Sequence, residues 1–197
     1  MSEAVQADPT VTIAEFDAFL DAQQDDALWE LVAGRIVAMT NPTEAHEQIA
    51  GNIGAPLKLA MDAKGCRAYQ GGMSVQRSDR SDAIDKPRPD VVVRSGPFQG
   101  RTYITDPLVV VEVLSPSTID TDRGDKLRFY KRLPTLRHIA LVYQDQMRVE
   151  HYRKTDTGWI MEVLTRPDHS LRFEAIGFEL KLERVYFGVP AGDLRAS

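Results

Sequence analysis

The run Leu108-Val109-Val110-Val111-Glu112-Val113-Leu114 constrains this chain more than any other stretch. Unbroken apolar and β-branched residues suit a strand covered on both faces of a sheet, so the run predicts a central strand. A single carboxylate interrupts it. An unpaired carboxylate taken out of water costs several kcal/mol even after relaxation, so Glu112 requires a cation nearby.

The next stretch offers one. Ser115-Pro116-Ser117-Thr118 ends the strand, Thr121 or Asp122 can cap a helix, and the helix is expected to run to about Leu133, ahead of Pro134. Asp122, Lys126, Phe129, Tyr130 and Leu133 fall on one face at spacings of three and four, so a lysine shares the core-facing stripe with aromatics. In an isolated helix Lys126 would snorkel or pair with Asp122 one turn earlier. With Glu112 upstream, a pairing across to the strand is open as well.

A second acid opens another apolar strand in Lys86-Pro87-Arg88-Pro89-Asp90-Val91-Val92-Val93, where two prolines hold the chain extended. Two buried strands with one carboxylate each, and a helix with an inward lysine, supply what a hard divalent cation needs. Mg²⁺ takes oxygen ligands, keeps several waters and is often held by one or two carboxylates plus a substrate phosphate. The lysine would orient or activate a metal-bound water.

These residues resemble the PD-(D/E)xK nuclease superfamily, with its restriction-endonuclease-like fold, and more closely its bacterial Uma-two family of endonucleases. The resemblance spans residues 13–185 and rests on Trp29 through Val37, His46, Pro89-Asp90-Val91-Val92, Val110 through Thr118, and Asp122 through Tyr130. It implies an α/β (α+β) domain: a mixed sheet in the order α-β-β-β-α-β, with an N-terminal helix and hairpin and a C-terminal antiparallel extension. It also implies a Mg²⁺- or Mn²⁺-dependent endonuclease cutting nucleic acid, DNA in the first instance, with a homodimer expected for duplex cleavage. Asp90, Glu112 and the Val113 carbonyl would hold the metal, Lys126 would join the two acids in catalysis, and Glu30, His46 and Asp122 would support them. The superfamily pattern places lysine two residues after the strand acid. Here that position is Leu114, and Lys126 on the following helix takes its place. A different class stays open: an interaction protein on the same fold in which Glu112 and Lys126 form only a buried ion pair.

The chain's 197 residues suffice for one domain, expected over residues 12–186 with tails at 1–11 and 187–197. Cys66 stands alone, so an internal disulfide and a cysteine metal cluster are both excluded. No apolar run approaches a membrane span and the N-terminus lacks signal-peptide character, so a cytoplasmic protein with no membrane contact is expected. A net charge of −5 disfavours whole-surface DNA binding. Local basic groups remain, Arg123, Arg128, Lys131, Arg132 and Arg137 around the second helix and Arg77, Arg80, Lys86 and Arg88 before Asp90, and they suggest a basic rim.

Elsewhere, Thr12 and Glu15 have capping-box spacing for a helix to about Leu20. Residues 28–32 and 35–39 read as a hairpin around Ala33-Gly34. A long helix follows from Thr43 to about Lys64 with His46 on its apolar stripe, weakened or bent by Gly51, Gly54 and Pro56. Residues 66–77 read as one strand in which Gly71-Gly72 marks a bulge, and 97–107 as a connection. Residues 138–143 form a further core strand, 147–154 and 159–166 an antiparallel extension, and 171–182 a final irregular strand. His138, His151 and His169 show no acidic partner at metal-ligand spacing. The acids of residues 78–85 lack the glycine and terminal glutamate of a calcium loop, and no phosphate-binding glycine motif is present.

Overall fold

The computed structural model describes residues 10–24, 27–115, 119–190 and 194. Helix α1 (Ile13–Ala22) starts at a complete capping box, the Thr12 hydroxyl accepting from Glu15 N–H and the Glu15 carboxylate from Thr12 N–H. Strands β1 (Trp29–Val32) and β2 (Arg35–Ala38) form the expected hairpin. Ala33 and Gly34 at its tip have φ of +50° and +74°, the paired left-handed geometry of a tight two-residue turn. Helix α2 (Glu44–Asp62) is capped by the Thr43 side chain and stays continuous through Pro56.

The centre is a six-stranded mixed sheet in the order β10-β9-β8-β7-β5-β3. Its members are β3 (Arg67–Gln70), β5 (Val91–Arg94), β7 (Pro107–Leu114), β8 (His138–Tyr143), β9 (Val149–Thr155) and β10 (Gly158–Leu164). Within this sheet only β7 and β8 pair in parallel. Strand β7 is buried on both faces, as its composition requires. Val109, Val111 and Val113 pack with Ile49, Ile53 and Leu57 of α2, while Val110 and Leu114 pack with Phe129, Tyr130 and Leu133 on the other face. Glu112 points with the second set. Removing these side chains from water, at about 25 cal/mol per Å² of apolar area, drives assembly of the layers.

Four local readings are corrected by the structure. The strand expected over residues 66–77 is broken, because Gly71 at φ +68° ends β3 where a bulge was expected. Chain direction then changes into β4 (Ser74–Val75), which pairs in parallel with β6 (Tyr103–Ile104) inside the segment read as a plain connection. The second helix is composite. One turn, α3 (Ile119–Thr121), leads into a π-helical turn, Asp122–Lys126, and then α4 (Leu127–Lys131). Leu127 N–H reaches the Asp122 carbonyl, five residues back, which widens the turn. The last expected strand is a hairpin, β11 (Ser170–Phe173) and β12 (Phe178–Lys181), whose chain reverses at Gly177, φ +58°, before α5 (Leu182–Val185). Phe173, Leu182 and Val185 then close the core over α2. Residues 116–118, in the stretch read as ending the strand, lie outside the described residues; Thr121 and Asp122, expected to cap the second helix, fall inside it, and Thr121 makes no side-chain cap hydrogen bond. Among the described residues no helix is long and apolar enough to cross a membrane.

Candidate active site

The ends of β5 and β7, the hairpin β1–β2, the start of α2 and the π turn converge on a cavity of about 580 Å³. Each contributes a charged side chain. Lys126 Nζ lies 2.9 Å from Glu30 Oε2, 3.0 Å from Asp122 Oδ1 and 3.5 Å from Glu112 Oε1. The local pairing with Asp122 and the cross-sheet pairing with Glu112 therefore both occur, and Glu30 joins them. Lys126 is 4% exposed and Asp122 2%, so the π turn aims both residues inward. Glu112 Oε1 also accepts a 2.6 Å hydrogen bond from the Tyr130 hydroxyl, one helical turn beyond Lys126.

Asp90 sits just before β5 and is fixed from two sides. Its Oδ2 accepts 2.6 Å from Val113 N–H on β7, and its Oδ1 lies 3.3 Å from His46 Nε2. His46 is positioned in turn by the helix cap, since its N–H donates to the Thr43 hydroxyl, which donates 2.6 Å to Gln144 Oε1 at the end of β8. All the residues singled out from the sequence, Glu30, His46, Asp90, Glu112, Val113, Asp122 and Lys126, line this one cavity. Sequence reasoning passed over Tyr130 and Gln144. Tyr130 was legible as the next position on the lysine's own stripe, whereas Gln144 had no signal in its neighbourhood.

The electrostatics are unbalanced. Glu30, Glu47, Asp90, Glu112 and Asp122 face the cavity with Lys126 and Arg88 as the cations and His46 beside them. Burial pushes the Glu112 carboxyl well above its usual range; Lys126 pulls it back, and Asp122, Asp90 and Glu30 push it further up. Burial opposes the charge on Lys126, yet Glu112, Glu30 and Asp122 outweigh it and hold the ammonium well above the usual lysine value. Lys126 therefore keeps its charge at neutral pH and acts as a hydrogen-bond donor. For His46 burial again works against charge, and the hydrogen bond and charge of Asp90, with Glu47, raise it overall. Asp122 Oδ1 is buried and lacks a well-aligned hydrogen bond although the ammonium is near.

Surplus carboxylate oxygens, one of them poorly satisfied, fit a hard divalent cation. Among the described residues no three His, Cys, Asp or Glu side chains are already drawn together as a metal cage. A Mg²⁺-like ion that keeps most of its waters needs only one or two of them.

Two expectations about the surroundings change. Much of the basic rim is neutralised locally: Arg123 pairs with Glu150, Arg128 with Asp125, Arg132 with Asp85, Arg80 with Asp82 and Lys86 with Asp17. His138 and His151 do have acidic partners, supplied by tertiary contacts that sequence spacing does not show. His151 Nδ1 lies 2.8 Å from Glu162 Oε1, and His138 Nε2 3.7 Å from Glu174 Oε2.

A mixed sheet between helical layers, with an acidic cavity at its strand ends, defines a nuclease-like α+β fold, and comparison with known proteins agrees. The crystal structure of a "putative nuclease belonging to DUF820" from Anabaena variabilis superposes with a TM-score of 0.71 at 17% identity, covering 89% of this chain and 97% of that one. The profile of the Uma2 family, described as "Putative restriction endonuclease", matches residues 13–183, and the chain belongs to that family. Two Synechocystis proteins are similar over most of their length. The uncharacterized protein slr1290 is 29% identical over 163 residues, 81% of this chain and 84% of its own. The uncharacterized protein sll1609 is 28% identical over 149 residues, 73% and 82% of the two chains.

Proposed function

We propose that this protein is a metal-dependent endonuclease that hydrolyses phosphodiester bonds of nucleic acid, DNA in the first instance, with a PD-(D/E)xK-type site in which lysine has moved to the following helix. The observation that carries the reading is the convergence of Asp90, Glu112 and Lys126, from three separate segments, in one cavity whose carboxylates outnumber its cations. Asp90, Glu112 and the Val113 carbonyl would hold Mg²⁺ or Mn²⁺, which when bound supplies Lewis-acid stabilisation of charge on the phosphate.

The chain's own groups do the rest. Glu30 and Asp122 fix the Lys126 ammonium, which is protonated and so orients a water or steadies developing negative charge without accepting a proton. Tyr130 holds Glu112 by donating to Oε1, and His46 with Val113 N–H holds Asp90. Cutting both strands of a duplex calls for two such sites, which a homodimer would supply. Millimolar Mg²⁺ is expected to raise the melting temperature and to support cleavage of a DNA duplex, and Asp90→Ala to remove both effects. A melting curve indifferent to Mg²⁺ and Mn²⁺ in the wild type would overturn the metal reading.

A second reading is favoured by one feature, the near-complete burial of Lys126 among three carboxylates. On that reading the cluster is a structural ion network. It predicts that wild-type protein cleaves no nucleic acid with any divalent metal.

A further inference from the structure

The cavity's two cations are differently engaged. Lys126 is spoken for by three carboxylates. Arg88 is not: its backbone N–H donates to Glu30 Oε2 at 3.2 Å, but its guanidinium makes no ion pair or hydrogen bond among the described residues. Its Nε is buried and has no partner. A buried guanidinium N–H without a protein partner forfeits a charge-assisted hydrogen bond, and such groups call for an explanation.

Arg88 is also held rigidly. Pro87 and Pro89 restrict the backbone on both sides, the Pro87 carbonyl accepts from Val75 N–H at 2.8 Å, and Asp90 follows two residues on with its carboxylate locked to Val113 N–H. The backbone of Arg88 is thus fixed where the residue lines the cavity beside the acids. Guanidinium matches a phosphate bidentately, which neither Lys126 nor a carboxylate can do here. An anionic substrate entering a cavity lined by five acids requires such a group.

We infer that Arg88 binds a phosphate of the nucleic-acid backbone, supplying the anion contact next to the site of cleavage; this rests on the nuclease reading for the identity of the substrate. Phosphate contacts set register and affinity without reading sequence, so the effect is uniform across DNA sequences.

The test compares wild type, Arg88→Ala and Arg88→Lys. Binding of a short fluorescein-labelled DNA duplex is followed by anisotropy with Ca²⁺ present, and cleavage by steady-state kinetics with Mg²⁺. Arg88→Ala is expected to weaken binding about tenfold or more, as for loss of a charged hydrogen bond, and to lower the slope of log affinity against log salt by about one. KM should rise more than kcat falls, and Arg88→Lys should recover part of the affinity. The melting temperature should not drop, since the guanidinium has no hydrogen-bond or ion-pair partner to lose among the described residues. Equal affinity of Arg88→Ala and wild type, no duplex binding by wild type, or a marked fall in melting temperature with Arg88→Ala would each overturn the assignment. Arg88-dependent binding without any cleavage would leave Arg88 standing and remove the hydrolytic reading. Cleavage unaffected by Arg88→Ala would do the reverse.

Discussion

Glu112 and Glu150 lie in one row across the same face of the sheet, each in register with Leu141, and both are almost inaccessible to water. Their surroundings have opposite character. Around Glu150 are Tyr143 at 2.8 Å, Arg148 at 3.1 Å, Tyr152 at 3.2 Å and Arg123 at 3.3 Å. Burial pushes its carboxyl up, but the hydrogen bonds from Tyr143 and Arg148 and the charge of Arg123 prevail and hold it below the ordinary value. Around Glu112 one lysine is shared with Glu30 and Asp122, and the carboxyl is driven up. A buried acid with cations to spare closes a structure. A buried acid in company with other acids, beside an open cavity, leaves room for an added cation and an anionic substrate.

The comparison can be broken most forcefully at Lys126. Replacement by Met strands Glu30, Glu112 and Asp122 without their cation, and about 4 kcal/mol of stability should be lost at neutral pH in urea unfolding, with part recovered when Mg²⁺ is added. A near-neutral Lys126→Met variant, in a protein that also cleaves nothing, would make the two clusters alike. At the other acid, Glu150→Gln should cost about 2 kcal/mol by the same measurement. The loss is smaller because Arg123 and Arg148 are 49% and 34% exposed and can hydrate. Here Mg²⁺ should make no difference. The contribution of Glu150 should be present above its ordinary value near 4.5 and disappear as pH falls through its lowered one.

The smallest effect belongs to the histidine pair on the opposite face, a third buried polar cluster. Ala175 N–H donates to His138 Nε2, so His138 Nδ1 carries the proton and donates 3.1 Å to His151 Nε2, leaving His151 Nδ1–H for Glu162. Burial, with His151 and Arg153 beside it and Glu174 opposing, pushes His138 down to about 4. The unfolded chain takes up this proton near pH 6.5, so stability should fall as pH drops through that window and be flat above it. With allowance for solvent screening the change is about 1 kcal/mol. His138→Gln should flatten the slope; an unaltered slope would show that His138 is not its source.

The composition of β7 was enough to place a strand buried on both faces, and the stripe Asp122, Lys126, Phe129, Tyr130 and Leu133 was enough to turn a lysine inward, because both depend on periods of two and 3.6 that the chain carries locally. Capping at Thr12 and Thr43 and the Ala33-Gly34 turn were legible for the same reason. The break at Gly71, the parallel pair β4–β6 and the π turn were not. Each answers to a partner distant in sequence: Gly71 N–H bonds the Asp90 carbonyl, and the π turn brings Asp122 and Lys126 together against Glu30 and Glu112.

By itself, then, the sequence determined which residues had to be buried and that a carboxylate among them demanded a cation. Only the tertiary structure decided how many acids share that cation, that Glu150 is balanced while Glu112 is not, and that the Arg88 guanidinium has no ion pair among the described residues. Burial preference is a property of each residue and its near neighbours. Charge balance is a sum over all groups within a few ångströms, and folding alone chooses those groups.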